Sequence, residues 1–147
     1  MGGSLLFFVF ESEHDAEKVL LGEPWSFDKN LVLLQRYDGL MLVGGSCFLE
    51  AKFWIQLHNL PLWCLTKEIA ENIGGTIGEV EEAMNEGEMH GGNFMWVRVT
   101  VDISQPLCRG RCVAIDKDTE WWIPLKYERL PNICLWCGRV THDDKNC

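Results

Sequence analysis

The alternation of apolar and polar residues is clearest over residues 96–103, and it predicts a strand with one face in solvent. The polar positions of that strand are Arg98, Thr100 and Asp102. Residues 111–115 and 121–127 flank the polar turn 116–119, which predicts an antiparallel hairpin. Because Pro124 has no backbone N–H to donate, we predict that the second strand of the hairpin lies at an edge of the sheet.

The first half of the chain contains three further runs of strand length. Residues 5–10 are apolar throughout, which predicts a strand buried on both faces. Residues 31–36 and 53–57 predict two more strands. The stretch 38–51 between them has several glycines and no period, so it is interpreted as a connection.

Two helices are predicted from their end signals. Ser12 precedes apolar residues at helical spacing, and Gly22 ends that pattern. A second helix begins at Thr66 and is closed by the glycine pair at 74–75. These elements predict an α+β fold with a mostly antiparallel sheet and two short helices.

The same elements divide the chain into four parts. We predict a partial strand-helix-strand unit at residues 1–37, a linker at 38–52, an α+β body at 53–127 and a tail at 128–147. Because two strands and one short helix make a marginal unit, we expect the first part to be an N-terminally truncated copy of a larger domain.

Charge is unevenly distributed along the chain, whose net charge is −9. Residues 1–125 carry −10 and residues 126–147 carry +1. An acidic body repels phosphate, so we expect the body itself not to bind nucleic acid and the whole chain to bind it weakly. No apolar run approaches the roughly 20 residues that cross a membrane, so no membrane partner is expected. Seven cysteines without a secretory signal indicate a reducing location, in the nucleus or cytoplasm.

The tail carries a pattern of metal ligands. Cys134, Cys137, His142 and Cys147 follow C-x2-C-x4-H-x4-C, which predicts one tetrahedral zinc ion that is structural because no coordination position stays open. Because the tail is too short to bury a core of its own, we expect it to fold only when zinc is bound. The chain shows no spacing typical of a catalytic triad, a carboxylate pair or a phosphate-binding loop, and we expect no enzymatic activity.

Trp136 stands between the first two ligands and is the candidate for nucleic-acid contact. An aromatic ring on so short a turn is expected to be exposed, and single-strand binders stack bases on such rings. Arg139 and Lys145 are the expected phosphate partners. The alternative is that Trp136 packs against the body through the apolar segment 130–135.

Several landmarks outside the ligands carry a family resemblance. They are GEPW at 22–25, WIQLHNLP at 54–61, IA at 69–70, IG at 73–74, RV at 98–99 and YERLP at 127–131. With these and the ligand pattern, the chain resembles plant zinc-knuckle proteins derived from retrotransposons, in which a domain of unknown function precedes the knuckle. The resemblance implies an RNA-recognition-like α+β body, a gag-like role in packaging nucleic acid and no catalysis in this segment. Thr141 departs from the pattern, since such knuckles usually have glycine before the histidine.

Two functions are therefore carried forward. The first is zinc-dependent binding of single-stranded RNA or DNA through the knuckle. The alternative is a protein-interaction module in which the knuckle and the acidic body bind a basic protein partner.

Overall fold

A five-stranded antiparallel sheet forms the body of the protein, in a computed structural model that describes residues 6–36, 50–81, 86–114, 116–130, 133–134 and 136–140. In chain order the elements are α1 (Glu13–Leu21), β1 (Trp25–Phe27), β2 (Asn30–Val32), β3 (Glu50–Leu57), α2 (Lys67–Gly75), β4 (Glu79–Val80), α3 (Glu86–Met89), β5 (Met95–Asp102), β6 (Gly110–Ala114) and β7 (Glu120–Tyr127). The strand order is β4-β5-β3-β7-β6, and β1 and β2 form a separate hairpin. The fold is α+β, as predicted, and α3 is an additional short helix that the sequence pattern did not indicate.

The core lies between the sheet and α2, on one face of the central pair β3 and β5. Alternate residues of β3 are buried, and Phe53 and Ile55 stand opposite Val99 and Val97 of β5. Helix α2 covers them with apolar residues that include Ile73. Most of the buried residues of β5 lie on this face, which accounts for the period-two pattern that identified the strand from the sequence.

The topology of the body is a split β-α-β unit. Strands β3 and β4, which α2 connects, flank β5, and β7 pairs with the opposite side of β3. We call the other side of the sheet the outer face; it carries the residues that alternate with the core positions, including Trp54, Gln56, Trp96 and Lys126. No helix among the described residues is long and apolar enough to cross a membrane.

The predicted N-terminal capping signals are confirmed at both long helices, whereas the glycine pair at 74–75 belongs to α2 itself and does not form the predicted left-handed stop. The Ser12 hydroxyl accepts a hydrogen bond from the Asp15 amide at 3.2 Å, and the Thr66 hydroxyl accepts one from the Ile69 amide at 3.4 Å. Between β1 and β2, Asp28 and Lys29 have φ of 49° and 65°, the left-handed conformation that a two-residue hairpin turn requires.

The predicted strand at residues 5–10 is wrong for its described part, because residues 6–10 form no strand and Val9 is 95% exposed. An apolar run becomes a buried strand only where a neighbour supplies backbone partners and cover. The centre of the sheet is occupied by β3 and β5 instead. The predicted strand at 31–36 reduces to its first two residues, in β2. Most of the predicted linker, residues 38–49, lies outside the described residues, and β3 begins within its last part.

The prediction that the strand containing Pro124 lies at an edge is also wrong. Strand β7 lies inside the sheet, between β3 and β6. It changes partner at the proline: residues 120–124 pair with β6, whereas residues 125–127 pair with β3. The missing N–H therefore falls where one ladder ends and the other begins, and the Pro124 carbonyl still accepts a hydrogen bond from His58 at 3.1 Å.

Arg98 was predicted to lie in solvent, but it is 7% exposed. The end of α1 lies over it, and its Nη2 donates to the Leu20 carbonyl at 3.4 Å. Glu23 lies near Arg98 and is 5% exposed, and its carboxylate accepts a hydrogen bond from the Lys52 amide at 3.4 Å. Desolvation raises the pKa of Glu23 and lowers the pKa of Arg98. The sequence pattern could not reveal this burial, because the covering element is distant along the chain.

Candidate functional site

The segment after β7 carries the chain back against the body. Arg129 adopts a left-handed conformation with φ of 57°, which turns the chain at the end of the strand. Leu130 and Ile133 then pack against the hydrophobic core. The predicted apolar contact between this segment and the body is therefore present at both residues.

A tight turn follows, and it holds the first two predicted metal ligands. The Gly138 amide donates to the Cys134 carbonyl at 2.7 Å, and the Cys134 amide donates to the Arg139 carbonyl at 2.8 Å. Gly138 has φ of +77°, the left-handed region that side chains disfavour. Cys134 and Cys137 thus stand on one short turn that its own backbone closes.

The turn is bound to the loop that precedes β6. The Leu107 amide donates to the Gly138 carbonyl at 2.8 Å, and the Arg109 Nη2 donates to the Cys134 carbonyl at 3.2 Å. Val140, which is 8% exposed, belongs to the core. These contacts fix the turn relative to the sheet, so the tail is not a flexible appendage up to this residue.

The structure presents Trp136 to solvent. Its side chain is 82% exposed, as the sequence predicted, and Arg139 is exposed as well. The alternative in which the ring packs against the body is wrong, although its apolar neighbours Leu130 and Ile133 do pack there. The turn therefore keeps the indole in solvent, although the segment just before it packs against the core.

The donor set of the turn fits one half of a structural zinc site. Cys134 is completely buried and Cys137 is half-buried, and the five cysteines that the structure describes form no disulfide. Thiolates two residues apart on a tight turn are typical zinc ligands. The other predicted ligands, His142 and Cys147, and the predicted phosphate partner Lys145 lie outside the described residues. Within the described part of the chain, no three metal-ligating side chains form a cluster.

Replacing Gly138 with alanine should weaken zinc binding. A Cβ at this position would meet its nearest neighbour, Pro106 Cβ, at 3.4 Å, so space is available and the cost comes from the left-handed backbone. That cost is roughly 1–2 kcal/mol, so we expect zinc affinity to fall about 5- to 30-fold in a chelator competition. Gly75→Ala is the control, because its Cβ would meet nothing within 4 Å. Equal zinc affinity in both variants would contradict the role of the Gly138 conformation.

Two sets of residues were missed by the sequence interpretation. Leu107 and Arg109 hold the turn, but nothing in their spacing relative to the cysteines signals the contact. The outer-face residues Trp54 and Trp96 form the second set. Their alternation with core positions was the available signal, since it places both rings on the same side of the sheet.

Comparison with known proteins identifies a zinc knuckle at the C-terminal end of the chain. The family model described as zinc knuckle matches residues 101–147, which include the loop before β6, the β6-β7 hairpin and the cysteine turn. A zinc knuckle is therefore present, and it implies zinc binding. An uncharacterized protein of Arabidopsis thaliana is 25% identical over 134 residues, which are 90% of this chain and 42% of that relative. The chain thus spans less than half the length of this plant relative. No solved structure matched the chain.

Proposed function

We propose that the protein binds single-stranded RNA or DNA through its zinc knuckle, with Trp136 as the stacking surface. The observation that carries this proposal is the 82% exposure of the indole on a turn fixed by backbone hydrogen bonds. A ring that is exposed on a backbone fixed in this way needs no rearrangement of the chain before a base stacks on it. Because every base has a flat aromatic face, such a contact tolerates many sequences.

Cys134, Cys137, His142 and Cys147 would hold one zinc ion. With four protein ligands the ion would stabilise the fold of the knuckle and would have no open coordination position for catalysis. The residues of the chain do the rest. Gly138 permits the turn, and Arg109 holds the Cys134 carbonyl from the body side. Arg139 and Lys145 are the proposed phosphate partners, and we assign the segment no enzymatic activity.

The charge distribution limits the expected affinity. The body carries −10 over residues 1–125, whereas residues 126–147 carry +1. Phosphate contacts by two cations release few counterions, so binding should be weak and should depend modestly on salt. A gag-like, retrotransposon-derived role in packaging nucleic acid belongs to this proposal, and many copies along one strand would compensate for weak single contacts.

The decisive variant is Trp136→Ala in the zinc-loaded full chain. Loss of one base–aromatic contact should remove about 1–3 kcal/mol of affinity for a fluorescein-labelled oligothymidylate, measured by anisotropy. Trp136→Phe should restore much of the affinity, because a ring remains. Trp63→Ala is the matched control, since Trp63 is 62% exposed but lies on the body between β3 and α2. If Trp136→Ala retains full affinity with zinc bound, the nucleic-acid assignment is wrong.

The salt dependence separates the phosphate contact from stacking. Arg139→Ala should lower the slope of log affinity against log salt by about one, whereas Trp136→Ala should change affinity and leave the slope nearly unaltered. The exposed Lys117 in the β6-β7 turn offers a matched control for the loss of one cation.

The second candidate function is a protein-interaction module for a basic partner. The observation that favours it is the acidic character of the body, which attracts cationic surfaces as strongly as it repels phosphate. The two functions would use different residues of the chain, Trp136 for the first and acidic residues of the body for the second.

A further inference from the structure

The outer face of the sheet contains a pocket that the knuckle does not use. It has a volume of about 230 Å³ and is lined by Trp54, Glu88, Trp96 and Glu128. Trp54 and Trp96 come from the adjacent strands β3 and β5, while Glu128 follows β7 and Glu88 belongs to α3. The lining therefore combines two aromatic rings with two carboxylates.

Glu128 is held at the pocket by neighbouring side chains. Its Oε1 accepts hydrogen bonds from Trp96 Nε1 at 2.8 Å and from Gln56 Nε2 at 2.6 Å. The side-chain Oε1 of Gln56 in turn lies 2.7 Å from His58 Nε2. Among the described residues, both hydrogen bonds of the carboxylate fall on one oxygen, and Oε2 has no partner. A carboxylate fixed in this way is preorganised for a cation.

The chemistry of the lining selects a positive charge. The faces of tryptophan rings attract cations, and carboxylates add a direct charge interaction. The protein already uses this pairing internally: the Arg98 guanidinium lies 5.2 Å from the centre of the Trp54 ring, and that of Arg129 lies 5.3 Å from the Trp25 ring. Phosphate is disfavoured, because the two glutamates and the charge of −10 over residues 1–125 repel it.

We propose that this pocket binds an arginine side chain of a basic protein partner. A planar guanidinium can stack on an aromatic ring and donate to a carboxylate at the same time, whereas the ammonium of lysine makes only point contacts. The pocket would give the acidic body a specific anchor within its general attraction for basic chains. The site is independent of the proposed nucleic-acid contact at Trp136.

The test uses the zinc-loaded full chain and a fluorescein-labelled peptide of repeated Arg-Gly units, with binding measured by anisotropy. Replacing each arginine by citrulline, which keeps the shape and removes the charge, should abolish measurable binding. Replacing it by lysine should weaken binding several-fold. Glu88→Gln/Glu128→Gln should weaken binding of the arginine peptide about 10-fold, the size expected when a cation loses both carboxylates but keeps the rings.

The matched control is Glu11→Gln/Glu68→Gln, which removes the same charge from two exposed positions outside the pocket. It should change affinity less than about 2-fold, as expected from screened surface charges. Equal losses in the two double variants would overturn the proposal, because binding would then depend on overall charge. Equal binding of arginine and citrulline peptides would overturn it as well.

Two measurements separate this site from stability effects and from the knuckle. Glu88 is exposed, so Glu88→Gln alone should keep the fold, by circular dichroism, and should still weaken peptide binding about 3-fold. An unchanged affinity in this variant would count against the pocket. Trp136→Ala should bind the peptide normally, whatever its effect on oligonucleotides. Oligothymidylate binding that is lost in Glu88→Gln/Glu128→Gln and retained in Trp136→Ala would instead assign the pocket to nucleic acid.

Discussion

Removal of zinc from the full chain is expected to disorder the cysteine turn and to abolish the ordered presentation of Trp136. A closed knuckle obtains roughly 10–16 kcal/mol of apparent folding free energy from zinc at neutral pH, far more than its few backbone hydrogen bonds provide. One zinc per chain should be found by metal analysis. Cys137→Ser should remove one thiolate and lower zinc affinity by orders of magnitude in a chelator competition.

The effect should reach the body, because the turn is attached to it. The Leu107 amide and the Arg109 guanidinium would lose their carbonyl partners in the turn, and Val140 would leave the core. We therefore expect chelation to lower the thermal midpoint of the whole protein. Cys112→Ser is the matched control, since Cys112 is an exposed residue of β6 outside the ligand pattern. Unchanged zinc affinity in Cys137→Ser would refute the ligand assignment.

Phe53→Ala should be the most destabilising single change within the body. The ring is completely buried in the centre of β3, opposite Val99, and meets the Tyr127 ring edge to face with 5.6 Å between centroids. Truncation to alanine leaves a cavity in the core beneath β3. Such phenylalanine truncations lower the free energy of unfolding by about 3–5 kcal/mol. That is a large fraction of the 5–15 kcal/mol by which a domain of this kind is stable.

Urea unfolding followed by circular dichroism measures this loss. Phe27→Ala provides the same chemical change at a residue of β1 that is 79% exposed, and it should alter stability by less than about 0.5 kcal/mol. If both variants unfold at the same urea concentration, the sheet described around β3 and β5 is not the stabilising core. The comparison is independent of zinc when both proteins are fully loaded.

The local signals in the sequence identified most of the fold. Period-two alternation identified β5, a run of strand-forming residues identified most of β3, and the polar turn at 116–119 identified the β6-β7 hairpin. Ser12 and Thr66 located the starts of α1 and α2, since a capping hydroxyl acts on amides only three residues away. Each signal consists of residue types a few positions apart along the chain, which is why sequence reasoning could detect it.

The predictions that were wrong concern features that no local pattern in the sequence determines. The apolar run at residues 6–10 has the composition of a buried strand but forms no strand of the described sheet, and Pro124 is tolerated inside the sheet because β7 changes neighbours there. Arg98 occupies a polar position of an alternating strand, yet α1 covers it. In all three cases the outcome depends on how segments remote in sequence pack together, and a local pattern carries no information about that packing.

The sequence by itself determined the zinc-knuckle ligand pattern and the position of Trp136 between its first two cysteines, because the spacing of ligands along one short segment decides whether they can meet at one zinc ion. Only the tertiary structure decided that this turn is bound to Leu107 and Arg109 while its indole stays in solvent. It also decided that Trp54, Trp96 and Glu128 share one pocket, since their strands become neighbours only when the sheet forms. Ligand spacing is local chemistry along one segment of chain. Burial and pocket formation depend on which distant segments pack together, and the hydrophobic effect that drives this packing acts on the whole surface at once.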